Sequence, residues 1–177
     1  MDEKAFLKRS RYFQVWKYDY RYYKKIIDFA KKHEIPLIGL NIEREVVSSI
    51  NRNGSTDMLS EEQKKLLPRE RDLSLPGYSG RLKAVYNLHA HGGGGRKGAG
   101  GFIQAQGVWD EVMAKNIADY LSSNPHKKIV VIAGSEHARK DNGIPPRVMR
   151  RLNVPQTVVM TIDDNRVPSH NLADFFF

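Results

Sequence analysis

The stretch Ile129-Val130-Val131-Ile132-Ala133-Gly134-Ser135-Glu136-His137 carries the strongest strand signal in the chain and ends on a glycine turn. A short continuous run of β-branched residues bounded by turn residues reads as a strand buried on both faces, as in a parallel sheet. Gly134 permits a sharp turn, so His137 projects from the C-terminal end of that strand, where open α/β sheets place ligands. A histidine so placed can ligate a metal or haem, act as an acid or base, or anchor a hydrogen bond. Gly-x-x-His alone is a weak signal, and a histidine serving only the fold satisfies it equally.

Working outward, residues 102–123 show a helical period, with Val108, Val112, Ile117 and Leu121 on an apolar face. Gln106, Asp110 and Ala114 recur at four-residue spacing and share another face. Asp110 beside a small residue can approach a neighbouring element and orient His137, as carboxylates do for ligating histidines. The plainer alternative is a solvated aspartate paired with Lys115 or Arg147. On the C-terminal side, Pro145 opens a further helix, where its missing N–H matters least. Residues 158–162 read as another strand, and 172–177 as an edge strand.

Toward the N-terminus, residues 35–41 (Ile-Pro-Leu-Ile-Gly-Leu-Asn) form a second buried-strand pattern, with Asn41 at its C-terminal end. A helix over residues 43–51 follows, stopping near Gly54, and then a short polar helix begins at Ser60. Tyr12, Trp16, Tyr20, Tyr23 and Ile27 fall on one stripe, which predicts a single helix over residues 13–33. Strands alternating with helices predict an α/β fold with a parallel sheet and one domain over residues 1–177. Residues 68–101, broken by Pro68, Pro76 and Gly77 and containing a glycine run, predict a long flexible loop. His89 and His91 in it would point the same way on an extended chain and could share a metal, although two histidines alone make an incomplete ligand set. Gly-Arg-Lys-Gly in the same run is no Walker loop, since no Gly-Lys-Ser/Thr follows.

Composition removes several chemistries. The chain has no cysteine, so disulfides, thiolate metal sites and a cysteine nucleophile are absent. No run of about 18 apolar residues occurs to span a bilayer, and the first residues lack the apolar core of a signal peptide. The net charge is +9, and residues 1–32 hold ten lysines and arginines against four acids. Such a patch attracts nucleic acid, anionic lipid or an anionic small molecule, unless it is simply a solvated helix face.

The ordered set Gln106-x-x-Trp109-Asp110-x-x-Met113-Ala114, Ile129 through Gly134-x-x-His137, and Gly143-Ile144-Pro145-x-Arg147 resembles the ChaN-like haem-binding uptake family. Residues 20–30, the Gly39-Leu40-Asn41 strand end and Ala173-Asp174 extend the likeness over most of residues 16–177. The resemblance implies a three-layer, mainly parallel sheet flanked by helices (the ChaN/Tiki-like fold) in a bacterial protein of iron uptake. It further implies an exported or lipid-anchored parent, haem as ligand, and two copies pairing over it. Family members open on a Gly-Glu-x-His strand and an acidic second strand. Neither is found here, so the expectation is a C-terminal portion lacking the N-terminal strands. The relatives' haem-ligating tyrosine matches no position in this sequence. Haem or another anionic small molecule would meet His137, Asp110, Gln106, Asn41, Glu136 and Arg147, with His137, His89 and His91 as candidate metal ligands. Membrane association is expected only through a lipid anchor outside this stretch, and nucleic acid is not the expected partner. Non-catalytic binding is the leading reading. A metal-assisted hydrolase of Tiki or erythromycin-esterase type, or a basic-patch binder of nucleic acid or anionic membrane, stands as the alternative.

Overall fold

In a computed structural model, residues 2–90, 98–162 and 169–177 are described. They divide into two units, Met1–Gly39 and Leu40–Phe177.

The first unit contains α1 (Glu3–Arg9), α2 (Tyr12–Val15) and α3 (Arg21–Lys32). The aromatic stripe expected on one continuous helix is divided between two. Lys17 takes a left-handed conformation (φ 64°) that no helix continues. Asp19 then restarts the chain, its carboxylate accepting the Arg21 N–H at 2.9 Å and gripping the same residue's guanidinium. The stripe still clusters. Tyr12 meets Tyr20 edge-on at 5.3 Å, and Trp16 meets Tyr23 at 5.5 Å.

In the second unit come α4 (Arg44–Asn53), α5 (Glu61–Lys65), α6 (Tyr78–Ala90), α7 (Ala99–Ser123), α8 (Ser135–Ala138), α9 (Ile144–Arg151), β1 (Val159–Met160) and β2 (Phe175–Phe176). Gly54 closes α4 in the left-handed region at φ 75°, and the Ser60–Gln63 capping box starts α5. Helix α7 is the axis of the unit. One side buries Ala105, Val108 and Val112 against Val46, Val47 and Ile50 of α4. The other buries Met113, Ala114 and Ile117 against Ile144 and Val148 of α9. Since elements surround α7 on several sides, even its polar residues Asp110 and Glu111 are buried.

The fold is helix-rich with a two-stranded parallel sheet, β1 against β2, in the register Val159 opposite Phe175. Val158, Met160 and Ala173 bury against each other beneath it. The two stretches expected as strands buried on both faces, 36–41 and 129–133, form neither a ladder nor a buried layer among the described residues, and most of their residues are exposed. Among the described residues, 129–133 and 36–41 make no backbone–backbone hydrogen bond. The β-branched run 129–132 favours extension, but a strand is completed only by a neighbour's N–H and C=O groups. Residues 68–101 also depart from the expected loop, since 78–90 form α6 and α7 begins at Ala99. Pro76 and Gly77 break the chain ahead of α6 rather than within it, and a proline there leaves the following helix intact.

Candidate functional site

Gly134 turns the chain out of residues 129–133 into α8, its carbonyl accepting the His137 N–H at 2.9 Å. That turn carries the imidazole to α7. His137 Nδ1 lies 2.5 Å from Asp110 Oδ1, and the Tyr78 hydroxyl donates to Asp110 Oδ2 at 2.8 Å. The Asp110 side chain is 2% exposed and that of His137 23%. With the carboxylate as acceptor, Nδ1 is the donor of this pair, and Nε2 makes no hydrogen bond among the described residues. Trp109 stands edge-on to the imidazole at 6.1 Å.

Behind this pair lies a second buried layer. The Arg147 guanidinium stacks on the Tyr78 ring at 4.3 Å and is fully buried. It donates from Nε to Glu111 Oε1 at 3.2 Å, and to the carbonyls of Asn142, Gly143 and Asp72. Glu111 also accepts from Arg150, Arg151 and the Asp72 N–H. Burial pushes the Glu111 carboxyl up, but the Asp72 N–H and the Arg150 and Arg151 hydrogen bonds outweigh it and hold the group below its ordinary value. Tyr78 shifts the other way: burial first, then the neighbouring Asp110 charge, push its phenol well above the ordinary range. It therefore remains a hydrogen-bond donor to Asp110.

Gly143 fixes the far side of the turn. A Cβ there would sit 2.3 Å from the His137 carbonyl oxygen and 2.7 Å from that of Arg139, so only glycine allows α9 to start this close to α8.

The residues singled out by sequence fall into two groups. Asp110 and His137 are in direct contact. Glu136 pairs at 2.5 Å with Arg81, which donates to Asn142 at 3.1 Å and stands over the Tyr78 ring at 5.3 Å. Arg147 joins Asp110 and His137 through Tyr78. Outside that set, Gln106 is half-buried one turn before Asp110 and makes no hydrogen bond among the described residues. Asn41 is exposed, and among the described residues its side chain accepts only the neighbouring Ile42 N–H. His89 falls in the last turn of α6, and His91 lies outside the described residues. No cluster of three or more potential metal-binding side chains occurs among the described residues.

Sequence reading missed Tyr78, Arg81, Glu111 and Asn142. Tyr78 and Arg81 were hidden because their helix looked like loop. Glu111 neighbours Asp110, but a helix buried on one face only would have turned it to solvent.

The sequence profile of the family described as haem-binding uptake, Tiki superfamily, ChaN matches residues 1–148, and the chain belongs to that family. The match spans Asp110, His137 and Arg147, while Ala173 and Asp174 lie beyond it. No curated protein and no solved structure matches the chain. No helix among the described residues is long and apolar enough to cross a membrane.

Proposed function

We propose that this chain binds haem, or a closely similar iron-carrying anion, at the His137 face, as a non-catalytic component of iron uptake. The observation carrying this reading is the imidazole held through Nδ1 by a buried carboxylate, with Nε2 in no hydrogen bond among the described residues. A carboxylate behind a histidine fixes its tautomer and orientation and raises its basicity as a metal ligand. Bound haem would supply an iron coordination position, which His137 Nε2 suits, and a broad apolar face. Trp109, half-buried beside the ring, offers apolar surface for that face. The excess positive charge of the chain favours anionic carboxylate groups on the ligand.

The same proposal takes residues 129–133 and 36–41 as strands of a three-layer, mainly parallel sheet. Their apolar runs bounded by turn residues support that. Export of the parent protein, a lipid anchor on it, and pairing of two copies over the ligand belong to the proposal through the family.

The test is a haemin titration of the full chain followed in the Soret band. The parent should shift the band. Asp110→Asn should weaken binding by about 10–100-fold, the usual effect of removing a carboxylate behind a ligating histidine, and His137→Ala should weaken it further. A Soret band unchanged from free haemin, or a His137→Ala titration identical to the parent, would refute the proposal. The Asp110–His137 pair is also the arrangement of a general base. A metal-assisted hydrolase is thus the second reading, and it requires esterase or peptidase turnover that His137→Ala abolishes.

A further inference from the structure

The first unit presents an apolar face that its own core does not use. On α3, Tyr23, Ile27 and Ala30 turn inward, while Tyr22, Ile26 and Phe29 form a separate stripe at i, i+4 and i+7. These three are 77%, 47% and 57% exposed. The His33 ring, 4.3 Å from that of Phe29, continues the line past the helix end. An amphipathic helix with one face on its core ordinarily gives the rest of its surface to polar residues, so a second apolar stripe calls for a partner.

The rim of the stripe says which kind. Lys25 and Lys32, seven residues apart, run along its edge on the side away from the inward face. Lys24 is neutralised by Glu3 and Asp28. Lys25 and Lys32, in contrast, hold no ion pair among the described residues. Aromatic and aliphatic side chains on one face, bordered by unpaired lysines with long apolar stems, match the surface of a helix lying in a membrane interface. Phe13, Val15 and Tyr18 add exposed apolar surface to the same unit. A single-stranded nucleic acid would be met by rings alone, because base stacking makes no use of Ile26 or Val15. The helix has 12 residues, too short to span, so it would lie on the bilayer rather than cross it.

We propose that the Tyr22–Ile26–Phe29 face of α3 seats on an anionic lipid surface, with Lys25 and Lys32 against the headgroups. This attachment is independent of any covalent lipid and of the His137 site.

The full chain should co-sediment with vesicles of phosphatidylcholine containing phosphatidylglycerol, and not with phosphatidylcholine alone. Binding should fade in 1 M salt, where the screening length is about 3 Å. Each lysine near an anionic surface contributes about fivefold in partitioning, so K25Q/K32Q should lose about 25-fold. Ile26→Ser with Phe29→Ser should abolish sedimentation. Far-UV circular dichroism would show whether that pair still folds, and the exposed lysine pair keeps the test decisive if it does not. The proposal is overturned by equal binding to neutral vesicles, by no binding to anionic ones, or by an unchanged K25Q/K32Q. Self-association or oligonucleotide binding that Ile26→Ser with Phe29→Ser removes, without vesicle binding, would also overturn it by giving the face to a second copy or to nucleic acid.

Discussion

Replacing Glu111 by alanine strikes the layer that fastens α9 and residues 70–74 to α7. The size of the effect is set by what remains buried afterwards. Arg150 and Arg151 keep 31% and 16% side-chain exposure and can turn to water once the carboxylate is gone. Arg147 cannot, since it is fully buried. It would retain three carbonyl acceptors, those of Asn142, Gly143 and Asp72, but no counter-charge. Removing one partner of a buried ion pair typically destabilises by about 3–5 kcal/mol. The surviving carbonyl bonds place Glu111→Ala near the lower end, at about 3 kcal/mol.

The assay is urea unfolding of the Trp16→Phe background, in which Trp109 reports on the second unit alone. Adding Arg147→Met completes a double-mutant cycle, and the double variant should be clearly less destabilised than the two single losses added together. The pH dependence carries a sign. Glu111 titrates below its ordinary value of 4.5 in the folded chain. Its contribution is therefore present above about pH 4.5 and lost as pH falls through the lower folded value. Glu111→Gln should lack that part of the acid limb. A loss under about 1 kcal/mol for Glu111→Ala, or strict additivity in the cycle, would refute the view that Arg147 depends on this carboxylate.

Two further outcomes follow from the same region. Tyr78→Phe leaves the buried Asp110 Oδ2 without its donor and should destabilise by about 1–3 kcal/mol at neutral pH. Because the Tyr78 phenol is raised above its ordinary value of 10.0, the parent loses stability as pH climbs past that value and the variant does not. The gap between their urea midpoints should narrow there, and a gap constant with pH would count against the buried phenol. Gly143→Ala must push the His137 carbonyl away and should destabilise by about 1–3 kcal/mol through overpacking. It should also shift the His137 imidazole resonances, and an unperturbed His137 spectrum would show that the turn has slack.

Much of this was legible in the sequence wherever the determinant is local. The capping box at Ser60, the Gly54 stop, the Pro145 start and the long period of α7 each involve residues within a few positions of one another, and each forms where the pattern puts it. The strands were legible only as propensity. Residues 129–133 have the composition of a buried strand, yet a ladder needs a second segment, and no local pattern supplies one. Helix α6 was missed for the opposite reason. Glycines and prolines on both sides made its whole neighbourhood read as breaker sequence, although Tyr78 and Leu82 bury on it at helical spacing. The aromatic stripe of the first unit misled because i, i+4 spacing survives a break: Tyr12 and Tyr20 still touch across a turn.

The meeting of Asp110 with His137 has a deeper dependence than the spacing of either motif. Asp110 sits on α7 and His137 on α8, 27 positions apart, and what brings them together is the placement of α8 by the start of α9. Gly143 lets the two elements approach, Arg147 ties that junction to α7 through Glu111, and the Tyr78 ring lies against the Arg147 guanidinium while its hydroxyl holds Asp110. Four buried side chains thus fix the orientation of one that meets solvent. Such an arrangement demands a buried carboxylate and a buried guanidinium, and a fold seldom keeps these for stability alone, since apolar residues of the same size pack about as well. Their presence directly behind His137 is consistent with an imidazole whose direction matters. That separates this histidine from the other described ones and makes its Nε2 the first place to look for a ligand.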